Sequence, residues 1–91
     1  DILYCEVFDH RVCIHTAQGN YEYSGTLDML EGKLDGRFFR CHRSYLINMS
    51  HVVGQEKGTA LVSNGNRVLI SRRKQAEFMQ RLLHNLKNEV I

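Results

Sequence analysis

Two short runs concentrate the side chains best able to recognise a ligand, RCHRS at 40–44 and SRRK at 71–74. In the first, Arg40 and Arg43 offer planar forks of N–H donors that suit guanine O6 and N7 or two phosphate oxygens, while His42 and Ser44 add adaptable donors. Cys41 lies between Arg40 and His42, and positive neighbours lower a thiol pKa, so it is a candidate reactive or redox-sensitive cysteine. In the second run Ser71 is placed to cap a helix, yet Arg72, Arg73 and Lys74 then set three positive charges against the positive end of the helix dipole. Each mismatch costs about 0.3–1 kcal/mol when exposed. A local rule broken without visible compensation points to function. Backbone N–H groups, a hydroxyl and three cations at a helix start make an anion site, which a phosphate or a base edge would complete; the bland alternative is a tolerated basic surface cluster. A third candidate, His10 with Arg11, follows Asp9, which repels phosphate, so spacing alone gives a plain turn there.

The elements that must position these groups are legible in outline. Residues 2–8 (ILYCEVF) and 11–16 (RVCIHT) are rich in β-branched and aromatic types, and the second alternates. With a turn at Gln18-Gly19-Asn20 and a short strand at 21–24 they predict a three-strand meander. Thr26 caps a short helix over 27–34, with Leu27, Leu30 and Leu34 on one face and Gly36 closing it. The stretch 37–48 (RFFRCHRSYLIN) runs from a buried Phe38/Phe39 pair through an exposed turn into another apolar segment. Strands at 52–56, 59–63 and 67–70 flank Lys57-Gly58 and Asn64-Gly65, and Asn-Gly between apolar strands is the strongest hairpin signal in the chain. Phe78, Met79, Leu82, Leu83, Leu86 and Val90 recur at helical spacing, so an amphipathic helix ends the chain. Tyr4, Tyr21 and Tyr23 fall outside the basic region and are read as core or sheet-face residues, and His15, His51 and His84 receive no role.

Charge is segregated along the sequence. Between 36 and 76 eight basic residues stand against Glu56 alone, a balance of +7 within a chain whose net charge is +2. That is the electrostatic footprint of a polyanion-binding face on a protein otherwise protected from non-specific adhesion, although a solvated basic face fits the count equally well.

Ninety-one residues leave room for one domain, and the composition, 43% apolar and 24% charged, is that of a globular protein able to fold alone. No apolar run approaches the roughly 18–20 residues that span a bilayer, and no signal segment opens the chain, which predicts a cytoplasmic protein. The absence of an initiator Met and the start inside a strand-like segment suggest a domain excised from a longer protein, its partner lying N-terminal. Three cysteines without Cys-x-x-Cys spacing argue for reduced thiols and against a disulfide framework or a metal site. No oriented base or pocket accompanies a nucleophile, so no enzyme, cofactor or small-molecule substrate is expected.

RFFRCHRSYLIN at 37–48, the Asn-Gly hairpin at 64–65 and ISRRK at 70–74 together resemble the LytTR DNA-binding domain, and the resemblance extends from the opening strand with Glu6 to all but the last dozen residues. It implies a mainly β fold with short helices, an elongated β-β-β arrangement of small antiparallel sheets plus the C-terminal amphipathic helix. It also implies double-stranded DNA read by loops entering successive major grooves, at direct repeats bound by paired protomers, as the output of a bacterial two-component response regulator with an N-terminal receiver or sensor domain. By the same resemblance His10, Arg43 and Arg73 contact bases, and Arg11, His42, Ser44, Arg72 and Lys74 are phosphate or auxiliary contacts; Arg40 and Ser71, from the two basic runs, are grouped with these. Arg43 stands where other members of the family carry a different polar residue. Two rivals remain open: an RNA-binding β-domain, which would expose Phe38, Phe39 or Tyr45 for stacking, and a protein-interaction module using the 78–90 helix, with Leu82, Leu83 and Leu86 as one patch.

Overall fold

The computed structural model describes the backbone of residues 1–90 and the side chains of 1–87. Strands β1 (Ile2–Phe8), β2 (Arg11–Thr16) and β3 (Gly19–Ser24) form the meander, α1 (Leu27–Glu31) follows, and β4 (Phe38–His42) and β5 (Tyr45–Asn48) form the next hairpin. After a 3₁₀ turn at Met49–His51 come β6 (Val52–Glu56), β7 (Thr59–Val62) and β8 (Arg67–Leu69), then a second 3₁₀ turn at Arg72–Lys74 and α2 (Gln75–Val90). The strands gather into two antiparallel sheets, one of five strands in the order β3-β2-β1-β5-β4 and one of three in the order β6-β7-β8. The mainly β architecture with a C-terminal helix expected from the sequence is therefore what the chain adopts, with principal extents of 39 × 29 × 24 Å.

The five-stranded sheet is covered on both faces, and the side-chain alternation of its central strands supplies both cores. Cys5 and Leu46 point one way, into a cluster with Val12 and the α1 residues Leu27 and Leu30. Tyr4 and Ile47 point the other way, joining Val62 and Val68 of the small sheet and Phe78 and Leu82 of α2. Phe38 and Phe39 divide between these two cores: Phe39 is buried in the larger and Phe38 half-buried against the smaller. The expected buried pair is thus corrected, since neighbours on a strand must face opposite sides of the sheet.

Local chemistry closes each turn. The Thr26 hydroxyl accepts from Met29 N at the start of α1, which is shorter than its leucine spacing predicts, and Leu34 lies beyond it, packed against the smaller core. Thr16 Oγ1 accepts from Gln18 N and Gly19 N. Asn64-Gly65 sits inside a loop in which Val62 N donates to Asn66 O, so β7 ends one residue short of the expected strand; β8 also stops one residue early, at Leu69. Buried Asn48 donates from Nδ2 to Ile2 O at 2.8 Å and accepts from Ser50 N at 3.0 Å, tying β5 to the start of β1. Tyr4 is a core residue and Tyr21 and Tyr23 are exposed sheet-face residues of the edge strand β3, in keeping with the two placements expected.

Cys41 is not the reactive thiol its neighbours in sequence suggest. It is fully buried, its Sγ lies 3.5 Å from Leu69 O, and burial outweighs the Arg40 charge and pushes the thiol up to about 12. Burial pushes Cys5 to about 12 as well. Cys13, on the outer face of β2, is only partly covered, and its thiol is raised mainly by partial desolvation and then by Glu6 and Glu22.

Three outcomes follow from this packing. Phe78→Ala, which empties the centre of the larger core, lowers folding stability by about 3–5 kcal/mol in chemical denaturation. A thiol reagent at pH 8 gives one adduct, on Cys13, in the native protein and three in denaturant, counted by intact mass. Because the folded state raises the Cys5 and Cys41 thiols from an ordinary 9.0 to about 12, their protonated forms support folding at neutral pH, and that support is lost as pH climbs from about 9 towards 12.

Candidate nucleic-acid interface

The two basic runs, thirty residues apart in sequence, meet in space. Arg43 and Ser44 form the two-residue connection of the β4–β5 hairpin, and one main-chain bond, Ser71 N to Cys41 O at 2.8 Å, brings the 3₁₀ turn Arg72–Lys74 beside it. Arg40, His42, Arg43, Ser71, Arg73 and Lys74, together with Glu31, line a recess of ≈ 340 Å³. Among the described residues Arg43, Arg72 and Arg73 are exposed and no hydrogen bond or ion pair engages their side chains. Such guanidinium groups are free to take planar acceptors.

His42 serves the turn itself. Its Nδ1 accepts from Ser44 N at 3.0 Å, which places the proton of the neutral ring on Nε2, and its ring tilts against Tyr45 at 5.4 Å between centroids. Lys74 holds its ammonium 5.6 Å from the Phe39 ring centroid and 3.8 Å from Glu77, so its charge is partly spoken for. Arg40 is engaged on every side. Its Nε and Nη2 donate to the carbonyls of His42 and Arg43 at 3.1 and 2.6 Å, and its Nη1 donates to Asp28 and Glu31 at 2.7 and 3.2 Å. It faces acceptors of its own chain, so the structure gives it an internal task in place of the auxiliary contact expected from charge alone.

Ser71 also departs from expectation. It occupies the position before the 3₁₀ turn, but its side chain makes no capping bond; the turn is closed by Lys74 N donating to Ser71 O. The three cations precede α2 rather than filling its first turn, where Glu77 sits favourably against the helix dipole. The 3₁₀ turn runs straight into α2, so the three cations still stand at the positive end of its dipole.

His10 lies outside the recess yet at the same end of the five-stranded sheet. Strand β1 runs antiparallel to β5, with Glu6 opposite Tyr45 and Val7 N donating to Ser44 O at 3.0 Å, so the β1–β2 turn and the β4–β5 turn emerge side by side. Asp9 and His10 both adopt left-handed backbone, φ 51° and 63°, the conformation a two-residue hairpin requires. Arg11 is exposed and paired with Glu22 at 3.1 Å across β2 and β3.

One cation escaped the sequence reading. Lys57, exposed at the tip of the β6–β7 turn with φ 49°, is held next to the same junction because Ile70 N donates to Gly58 O and Gly58 abuts the side chain of Gln75. Lys-Gly reads as an ordinary turn, and nothing in the linear sequence links it to 71–74. On the aromatic side, Phe39 is buried and Phe38 and Tyr45 are half-buried against the cores. Along α2, Leu82 is in the core, while Met79, Leu83 and Leu86 are exposed, so the expected patch is revised to those three; the side chain of Val90 lies outside the described residues. No helix among the described residues is long and apolar enough to cross a membrane.

Comparison with known proteins bears on the family and the fold. A family model described as the LytTr DNA-binding domain matches residues 1–83. The chain is 30% identical over 90 residues to the sensory transduction protein LytT of Bacillus subtilis (strain 168), covering 92% of this chain and 37% of that protein, so it spans little more than a third of that relative's length. The solved LytTr DNA-binding domain of a methyl-accepting/DNA response regulator from Bacillus cereus is similar with a TM-score of 0.77 at 25% identity, covering 89% of this chain and 80% of that one.

Proposed function

Because the chain belongs to the LytTR DNA-binding domain family, we propose that it binds double-stranded DNA sequence-specifically as the output domain of a cytoplasmic transcription regulator, joined to an N-terminal receiver or sensor domain. The observation that carries this reading is the convergence of Arg43 and Arg73 on one recess with their guanidinium groups unengaged among the described residues. Each can take a guanine edge through two hydrogen bonds, while Arg72 and Lys57 are placed for phosphates and Lys74 makes a weaker phosphate contact past Glu77. His10, one turn away at the same sheet end, reaches a neighbouring groove position. Loops, not a helix, are then the reading elements, and a site long enough for two protomers as direct repeats fits a domain whose contacts lie at one end of a sheet. His42 and Ser44 contribute through the shape of the turn, and Arg11, tied to Glu22, is an auxiliary contact.

The RNA alternative loses its expected stacking residues, since Phe39 is buried and Phe38 and Tyr45 pack partly against the cores; Phe8, exposed at the end of β1, is the aromatic it retains at this sheet end. A protein-interaction role keeps one observation, the exposed strip of Met79, Leu83 and Leu86. Three side chains are few against a specific interface, which buries about 1,200–2,000 Å² in total. That role stands behind DNA recognition and is compatible with it.

Binding-site selection from random duplex DNA at moderate salt is expected to enrich one short sequence motif; failure to enrich any would remove specific recognition. On the selected duplex, Arg43→Ala and Arg73→Ala each cost about 1–3 kcal/mol and relax preference at one base position. Arg72→Ala weakens binding to all sequences alike and lowers the slope of log affinity against log salt by roughly 1. Lys74→Ala does so less cleanly, since it also strips the packing over Phe39.

A further inference from the structure

The side chain of Arg40 adds a polar tie between α1 and the β4–β5 turn, elements whose apolar residues already meet in the smaller core. On one side are the backbone carbonyls of His42 and Arg43, at 3.1 and 2.6 Å; on the other are the carboxylates of Asp28 and Glu31, at 2.7 and 3.2 Å. The carboxylates are three residues apart on α1, a spacing that sets both on one helical side. The helix is itself fixed by Leu27 and Leu30 in the smaller core and by the Thr26 cap. Only 24% of the Arg40 side chain is exposed.

We infer that Arg40 is a positioning residue for sequence readout: it clamps the Arg43 turn against α1 and so fixes the direction in which Arg43 leaves the backbone. The inference rests on the reading of Arg43 as a base contact. Two physical points support it. First, Asp28 and Glu31 together carry −2 against the single charge of Arg40, so this trio adds no positive potential to the DNA-facing surface and is poorly suited to hold a phosphate. Second, the carbonyls it holds belong to an exposed two-residue turn whose peptide planes would otherwise be free to reorient, and the His42–Ser44 bond braces the same turn from within. A rigid, five-donor planar fork satisfies four acceptors in two directions at once; an ammonium of equal charge cannot.

The test measures discrimination, the ratio of affinities of the full domain for its selected duplex and for the same duplex changed at the base pair that Arg43 reads. That ratio is independent of the fraction of protein folded, so loss of stability alone does not move it. Arg43→Ala sets the reference. Arg40→Lys, which keeps the charge, is expected to lower discrimination about tenfold, towards the Arg43→Ala value, with the salt slope unchanged. Asp28→Asn combined with Glu31→Gln is expected to lower discrimination as well, even though removing two negative charges raises affinity for both duplexes. Retention of discrimination in Arg40→Lys or in the double variant, with Arg43→Ala impaired, overturns the clamp. A reduction of the salt slope by roughly 1 in Arg40→Ala, with discrimination preserved, overturns it in favour of a direct phosphate contact. If Arg43→Ala itself leaves discrimination intact, the assignment of Arg43 as a base reader fails, and the clamp falls with it.

Discussion

The bond from Ser71 N to Cys41 O is the point on which the geometry of the recognition face turns. It lies where the large sheet meets the segment leaving the small one, beside the buried Cys41 thiol and Leu69 O. The hairpin carrying Arg43 lies in the large sheet and the turn carrying Arg73 follows the small one, and this main-chain bond joins the two directly, beside the contact of the Cys41 thiol with Leu69 O. A main-chain bond fixes relative position more tightly than apolar packing does, because an amide left without a partner is costly.

From this joint the rest of the site is ordered outward in layers of decreasing burial. The cores hold the strands, the strands hold the turns through His42, Arg40 and Val7, and only then come side chains with nothing of their own to bind. Unengaged guanidinium groups on a rigid platform lose little conformational freedom beyond their own rotamers on meeting a ligand. The acids are placed with equal economy. Asp28 and Glu31 neutralise Arg40, Glu22 occupies Arg11 and Glu77 shadows Lys74, leaving Arg43, Lys57, Arg72 and Arg73 as the open positive charges among the described residues of this face.

Much of this was legible in the sequence. Alternation in 11–16, the Asn-Gly at 64–65 and the leucine spacing of the last helix report local physics, and each element is present. What escaped were facts that span the chain. The pairing of β1 with β5 joins residues about forty apart, and no local pattern encodes it. The cations at 40–44 look alike in a charge count; that Arg40 is consumed by Asp28 and Glu31, twelve and nine residues earlier, depends on where α1 packs. The reactive alternative for Cys41, open in the sequence, falls for the same reason: its neighbours in sequence are basic, but burial in the larger core dominates its thiol. Ser71 satisfied the composition rule for a cap while the chain took a 3₁₀ turn that needed none.

Among the described residues three without the freedom of glycine hold left-handed backbone, Asp9, His10 and Lys57, and all three sit at hairpin tips. Glycine or asparagine would take those conformations at lower cost, by roughly 1 kcal/mol per position. These tips are therefore reservoirs in an evolutionary sense. A lineage that lost its need for the imidazole or the ammonium could regain folding stability by drifting to Asn-Gly, so persistence of bulky polar residues there would mark selection acting on the side chain rather than on the turn.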